Sequence, residues 1–343
     1  AASLYERRFT MGASPQTNTD LASIAAALQE GDDYAICGHV NPDGDCLGSM
    51  LALAGALRAL GKHVDCLLVE DAPVEEGLHF LPGFETLQPA SYFEGDPTTF
   101  ITVDVSLESR IGVCAAIRSR CARTISIDHH RVPDAYSQLN YVDADAPAAC
   151  LIIWELIKLL PLRVTPDIAL CAYTGLMTDT GRFQYQNTTA DAYRAAAEMV
   201  AAGVSPDVPA REVFQSRSMA SLHLEGRLLE RMELLFGDRF SFSYITRADF
   251  QEFGASKADA EPLIDTLRSI RGIEVACILK DQPDGMVRGS FRAKTDADVS
   301  AMARALGGGG HKAAAGFTFD GTLEEAIVAV KQQVGALYGQ SGN

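Results

Sequence analysis

The 343-residue chain lacks paired cysteines, long apolar runs and any surplus of basic residues. Its apolar stretches near 47–60, 150–160 and 323–337 are interrupted by Arg58, Glu155, Lys158, Glu324 and Glu325. None approaches the roughly 20 apolar residues that span a bilayer, so neither a transmembrane helix nor a membrane partner is expected. The first 20 residues contain no apolar core of a secretory leader. The eight cysteines show neither CxxC pairs nor metal-finger spacing and read as buried free thiols, which fits a reducing cytoplasm. With 29 Lys and Arg against 45 Asp and Glu, the formal net charge of −16 opposes the counterion-release grip used on long nucleic acid, duplexes included. Such a chain can still handle phosphate if metal ions offset the repulsion and the substrate is small.

What is present is a composition of 47% hydrophobic and 22% charged residues, that of an ordinary globular protein, and a length that suggests two domains. Between 34 and 186, short β-rich runs alternate with helical stretches. YAICGHV (34–40), VDCLLVE (64–70), TFITVDV (99–105) and RTISIDHH (123–130) read as strands, and 47–60 and 108–121 as helices. This pattern predicts an α/β fold with a doubly wound, mostly parallel sheet over 20–187. Helical spacing continues through 190–203 and 221–236, predicting a helical connector over 188–237. Strands at 240–246, 274–281 and 286–294 predict a smaller mixed α/β domain over 238–340.

In such sheets, ligands bind beyond the carboxyl ends of the strands, and the unusual polar residues fall there. GHVNPDGDCLGS (38–49) carries His39, Asp43 and Asp45, with Pro42 and Gly44 favouring a turn. Gly48 and Ser49 read either as a phosphate cradle or as helix capping. Asp104 ends an apolar strand, where a carboxylate is costly unless paired or metal-bound. Asp128, His129 and His130 end another strand, and Asp179 stands near the end of the helical run DIALCAYTGLM. Five acids and three imidazoles thus reach one sheet edge. This inventory suits two Mn²⁺ or Mg²⁺ ions better than zinc, carboxylate being abundant and cysteine taken to be absent from the candidate loops. The glycine run 307–310, read as leading through His311 and Lys312 into a small-residue helix, is expected to form a phosphate-binding turn. His63, His79 and His223 fall outside these segments and carry no expected role.

Together these segments resemble the DHH phosphoesterase superfamily over nearly the whole chain. HVNPDGDCLGS, VDVS, IDHH and MTDTGRF match its four catalytic motifs in order, while RGSFRAK (288–294) and GGGGHKAAAG (307–316) resemble the DHH-associated C-terminal domain. The resemblance implies that His39, Asp43 and Asp104 hold one metal, and that Asp45, Asp104, His129 and Asp179 hold the other. Asp104 would be the bridge. Asp128 would orient the histidines, and His130 would contact the substrate phosphate or assist the leaving group. Ser290, Arg292, Gly309, Gly310 and His311 would hold the rest of the substrate. Mn²⁺ is the ion the resemblance favours, with Mg²⁺ or Co²⁺ as alternatives.

Within the family the domain arrangement resembles oligoribonucleases that act on nano-RNA and also remove the 3′-phosphate of phosphoadenosine phosphate. The expected substrates are therefore short, single-stranded, 5′-phosphorylated oligoribonucleotides and small nucleotides, including pApA, held in a cleft between the domains. A cyclic-dinucleotide phosphodiesterase and a non-catalytic nucleotide sensor are the alternatives. The chain offers no room for the additional domains of RecJ-like exonucleases, and GGGGHKAAAG counts against an inorganic pyrophosphatase. Whether the chain forms a homodimer stays open.

Overall fold

Short apolar and β-branched runs form the first sheet: β1 Asp33–Cys37, β2 His63–Leu68, β3 Leu87–Pro89, β4 Thr99–Val103, β5 Arg123–Asp128 and β6 Leu139–Val142. They appear in a computed structural model that describes residues 16–130, 135–282, 284–310 and 312–338. All neighbouring strands in this sheet are parallel, in the order β3-β2-β1-β4-β5-β6. The connecting helices are α1 Leu21–Glu30, α2 Gly44–Ala59, α3 Cys114–Arg118, α4 Ala149–Lys158 and α5 Pro166–Asp179, followed by α6 Ala190–Ala201 and α7 Asp207–Phe214. A large core of α1, α2, α4 and α5 side chains covers one face of the sheet. A smaller cluster with Phe100, Ile111, Cys114 and Ile117 covers the other. Because both faces are covered, every residue of a central strand can be buried, as in TFITV. The fold expected from the sequence is the one observed.

The chain divides into two units, Ala1–Ser216 and Arg217–Asn343. The stretch 188–237, read from sequence as a connector, is shared between them, since α6 and α7 lie in the first unit and α8 Met219–Glu230 in the second. The second unit continues with β7 Glu233–Leu235, β8 Phe240–Ile245, α9 Arg247–Phe253, α10 Leu263–Ser269, β9 Val275–Asp281 and β10 Val287–Ala293. It ends with α11 Val299–Ala305, β11 Gly309–Gly310, β12 Ala314–Phe319 and α12 Leu323–Leu337. Its strand order is β11-β12-β10-β9-β8-β7, antiparallel except between β8 and β9.

Local readings fail in three places. The expected helix 108–121 is a 3₁₀ turn, Glu108–Ile111, and a short α3, parted at Gly112, whose φ of +46° breaks helical geometry. The expected helix 221–236 stops at Glu230, and β7 follows. There Met232 packs on one core and Leu235 and Phe236 on another, which one helical stripe could not do. The small residues 313–316, read as a helix after the glycine run, enter β12, paired with β10.

Candidate metal centre

The sheet reverses its winding at β1, which has β2 on one side and β4 on the other. Connections leaving β1 and β4 therefore diverge and open a crevice beyond their carboxyl ends. His39 stands two residues past β1, and Asp104 directly follows β4. The turn after β1 is made at Asn41, with φ of +53°. Asp43 then caps α2, its Oδ1 accepting from the backbone N–H groups of Asp45 (3.1 Å) and Cys46 (3.0 Å). Asp128 is the last residue of β5, and Asp179 the last of α5.

These elements converge on Asp104. Its Oδ2 lies 3.4 Å from His39 Nε2, which is itself 3.9 Å from Asp43 Oδ1. Its Oδ1 lies 3.4 Å from His129 Nε2 and 3.3 Å from His130 Nδ1. His129 Nε2 is also 3.8 Å from Asp45 Oδ2 and 4.0 Å from Asp179 Oδ2. The two oxygens of one buried carboxylate thus address two different groups of side chains. Backbone carbonyls set the rings: His39 Nδ1 is 2.8 Å from Val40 O, and His129 Nδ1 is 3.2 Å from Ala146 O, which turns each Nε2 inward. Asp128 Oδ1 accepts from the backbone N–H groups of His129 (2.8 Å) and His130 (3.1 Å), and lies 2.8 Å from His130 Nδ1.

The charges are tightly coupled. Burial alone would raise the Asp104 carboxyl, but the imidazoles of His129, His130 and His39 hold it well below the usual carboxylate range. Burial opposes charging His130, yet Asp104 and Asp128 push its pKa up to about 10. His39 and His129 are raised in the same way, against burial, chiefly by Asp104. Asp45 is pushed up to about 6, first by burial and then by Asp104. Burial, opposed by His129 and reinforced by the neighbouring acids, raises Asp179 well above its ordinary value.

This donor set fits hard divalent cations. Its atoms are carboxylate oxygens and imidazole nitrogens, and Asp104 Oδ1 is buried with no hydrogen bond to accept among the described residues. The groupings Asp45–His129–Asp179 and Asp104–His129–His130 each bring their ligand atoms within 4.8 Å of one another.

Sequence reasoning overlooked some neighbours. Cys46 stands in the first motif after all, and its thiol groups with His39 and Asp104. Burial, then Asp104 and Asp43, raise that thiol well above its ordinary pKa. Asp45 accepts hydrogen bonds from the N-terminus of α4, at Ala149 N (2.6 Å) and Cys150 N (2.8 Å), a long-range contact with no local signal. Gly48 and Ser49 do not form a phosphate cradle. A Cβ on Gly48 would lie 2.5 Å from Cys171 O, and Ser49 is buried with its Oγ 3.2 Å from Cys150 Sγ, so both serve the contact of α2 with α4 and α5. His63, with Asp33 and Asp65, sits at the opposite, N-terminal end of β1 and β2.

In the second unit, Arg288, Ser290 and Arg292 alternate on one face of β10. Ser290 lines a pocket of about 370 Å³ together with Gly307 and Gly308. Arg292 is not among that pocket's lining residues, and its Nη1 donates to Phe291 O (3.0 Å). Gly309 and Gly310 form β11 against β12, with Gly310 at φ +137°. The glycine run follows the C-terminus of α11 and leads into a strand, so the expected helix N-terminus is missing there. His311 lies outside the described residues.

Residues 33–176 match the DHH family, N-terminal domain, and residues 237–336 match the DHHA1 domain. The chain is 32% identical over 320 residues to the bifunctional oligoribonuclease and PAP phosphatase NrnA of Thermus thermophilus, covering 92% of this chain and 93% of that protein. It is 28% identical to the NrnA of Bacillus subtilis, over 81% of this chain and 86% of the relative. Among solved structures, an exopolyphosphatase-related protein from Bacteroides fragilis superposes with a TM-score of 0.87 at 25% identity, covering 93% and 96% of the two chains.

Proposed function

Because this chain belongs to the DHH family and joins that family's N-terminal domain to a DHHA1 domain, we propose that it hydrolyses short 5′-phosphorylated oligoribonucleotides to mononucleotides. Nano-RNA and pApA are the intended substrates, with 3′-phosphoadenosine 5′-phosphate, which would yield AMP, as a second. The chain is a hydrolase of phosphate esters. The observation that carries the reading is the divided carboxylate of Asp104, one oxygen toward His39 and the other toward His129. Relatives named for oligoribonuclease and PAP phosphatase activity supply the substrate class.

His39, Asp43 and Asp104 would hold one divalent cation, and Asp104, Asp45, His129 and Asp179 a second, Mn²⁺ being preferred. Bound cations would polarise the phosphoryl oxygens and lower the pKa of the attacking water. The protein's own part is positioning. Val40 and Ala146 carbonyls orient the two ligand imidazoles, and Asp128 fixes both the backbone and the ring of His130. Held at Nδ1 by Asp128 and partly buried, His130 would donate a hydrogen bond to a phosphoryl oxygen or a proton to the leaving group. The formal charge of −16 limits the affinity for long strands.

A Mn²⁺-dependent hydrolysis assay tests the reading, with pApA, five-nucleotide RNA, phosphoadenosine phosphate, cyclic di-AMP and pyrophosphate in parallel. Mononucleotide release from the first two is expected. Cleavage of cyclic di-AMP alone would replace this reading with that of a cyclic-dinucleotide phosphodiesterase, and tight binding without turnover would make the chain a sensor.

A further inference from the structure

The ligands of the Asp45–His129–Asp179 grouping come from separate elements: Asp45 from the first turn of α2, His129 from just past β5, and Asp179 from the end of α5. A segment that carries none of them, residues 146–150 at the start of α4, holds two of the three directly. Ala146 O lies 3.2 Å from His129 Nδ1, and Ala149 N and Cys150 N donate to the two oxygens of Asp45. Helix α4 has Ala148 at its N-cap and therefore no side-chain cap of its own. The Asp45 carboxylate fills that role, so its orientation depends on where α4 begins.

The tie to Asp179 runs through Asn187. Its Nδ2 donates to Pro147 O at 3.0 Å and to Asp179 O at 3.1 Å. Both partners are carbonyl oxygens, which only accept, and a primary amide nitrogen has two N–H donors, so one side chain closes both bonds. Asn187 thus clamps the start of α4 to the end of α5. The chain turns back sharply to bring it there. Gly181, Arg182 and Phe183 are all left-handed, with φ of +55°, +62° and +60°, and Gln184 N and Tyr185 N both donate to Thr180 O at 3.0 Å. A bulky residue such as Phe183 rarely adopts that conformation, and such strain persists only where the surroundings enforce it. The His39 grouping is held differently, by its own loop and helix: Val40 O orients His39, and Asp43 caps α2.

We propose that Asn187 is a positioning residue of the metal centre. By bridging Pro147 and Asp179 it sets the spacing of Asp45, His129 and Asp179, and so the affinity for the second cation, while the first depends on His39 and Asp43. The inference rests on the two-cation reading for its metal, whereas the clamp itself can be read in metal-free protein. Because Asn187 is exposed, replacing it leaves both hydrophobic cores of the unit untouched.

Asn187→Leu keeps the branched shape and removes both donors. Calorimetric titration of the full, metal-stripped chain with Mn²⁺ should show two ions in the wild type. In the variant one Kd should rise about tenfold, the scale of losing an outer partner of a metal ligand, with the other far less changed. At a Mn²⁺ concentration that fills both wild-type sites, the spin-coupled resonance of a Mn²⁺ pair should give way to that of an isolated ion. Both ions weakened equally, or neither, would overturn the proposal; a merely structural role would lower the melting temperature without this selectivity. Hydrogen exchange in EDTA reads the clamp without metal. The amides of Ala149 and Cys150 should exchange about tenfold faster in the variant, with those of β1 and β4 unchanged, and unaltered exchange at Ala149 and Cys150 sinks the clamp. Should Asn187→Leu fail to fold, Asn187→Ala decides in its place. A wild type that binds fewer than two ions would refute the two-cation reading, and the exchange rates then decide the clamp alone.

Discussion

Asp104→Asn is the most informative single change in this protein. Asp104 follows β4 with φ of +56°, a left-handed conformation that Asn shares readily and Ala does not. Ala there would add about 1–2 kcal/mol of backbone strain, so Asn isolates the loss of the carboxylate from the loss of stability. Its backbone N–H, which donates to Ile127 O at 3.0 Å, is untouched by either substitution. The functional cost follows from the two-way placement of the oxygens. Losing even an outer partner of a metal ligand typically costs 10–100-fold in affinity or activity. Asp104 serves the His39 group through Oδ2 and the His129 group through Oδ1. Taking about 30-fold at each, kcat/KM should fall by about 10³, equivalent to roughly 4 kcal/mol of transition-state stabilisation. Steady-state hydrolysis of pApA at saturating Mn²⁺, together with metal content by mass spectrometry and thermal melts, provides the assay. Asp104→Ala should lose the same activity but melt lower than Asp104→Asn. If Asp104→Asn kept more than about a tenth of wild-type activity with its metals bound, the bridging argument would be wrong.

Two further outcomes are expected. In metal-free protein the charged state of His130 stabilises the fold fully below its unfolded pKa near 6.5, and that contribution is lost as pH rises toward about 10. Asp45, raised to about 6 from 3.8, costs stability in the same direction as pH climbs through that interval. The melting temperature in EDTA should therefore fall between pH 6 and 9, and Mn²⁺ should restore about 2.7 kcal/mol at a hundredfold excess over Kd, with a widening gap as the ligands lose protons. A flat profile in EDTA would contradict the coupled cluster. Gly175→Ala should destabilise by about 1–3 kcal/mol through overpacking and lower kcat, because the new Cβ would lie 2.2 Å from Cys150 Sγ and 3.0 Å from Asp45 Cα. An unchanged melt would show that α5 can yield there.

The candidate metal centre was legible where its residues are close in sequence. His39, Asp43 and Asp45 share one loop, and Asp128, His129 and His130 share one strand end, so motif spacing alone brought them into view. Alternating β-rich and helical runs specified the doubly wound sheet, because parallel strands need helical crossovers that cover both faces. The readings that failed were those in which local spacing had to compete with packing. Met232, Leu235 and Phe236 mimic a helical stripe but divide between two cores, and residues 313–316, small enough for a helix, are recruited by β10 into a strand.

Which atoms face which could be decided only by the tertiary structure. The N-terminus of α4 reaches Asp45 across 104 residues of chain, and the left-handed turn at Asp104 points its two oxygens at separate partners. Gly48 and Gly175, both within stretches read as helical, prove to be the close contacts between packed helices, which the helical pattern by itself does not identify. The pairing of β9 with β10 sets Lys280 beside Arg288 in a pocket that neither segment announces. Sequence carries the identity and local spacing of the chemical groups. Their mutual direction depends on contacts between residues far apart in the chain, where burial and strand register act.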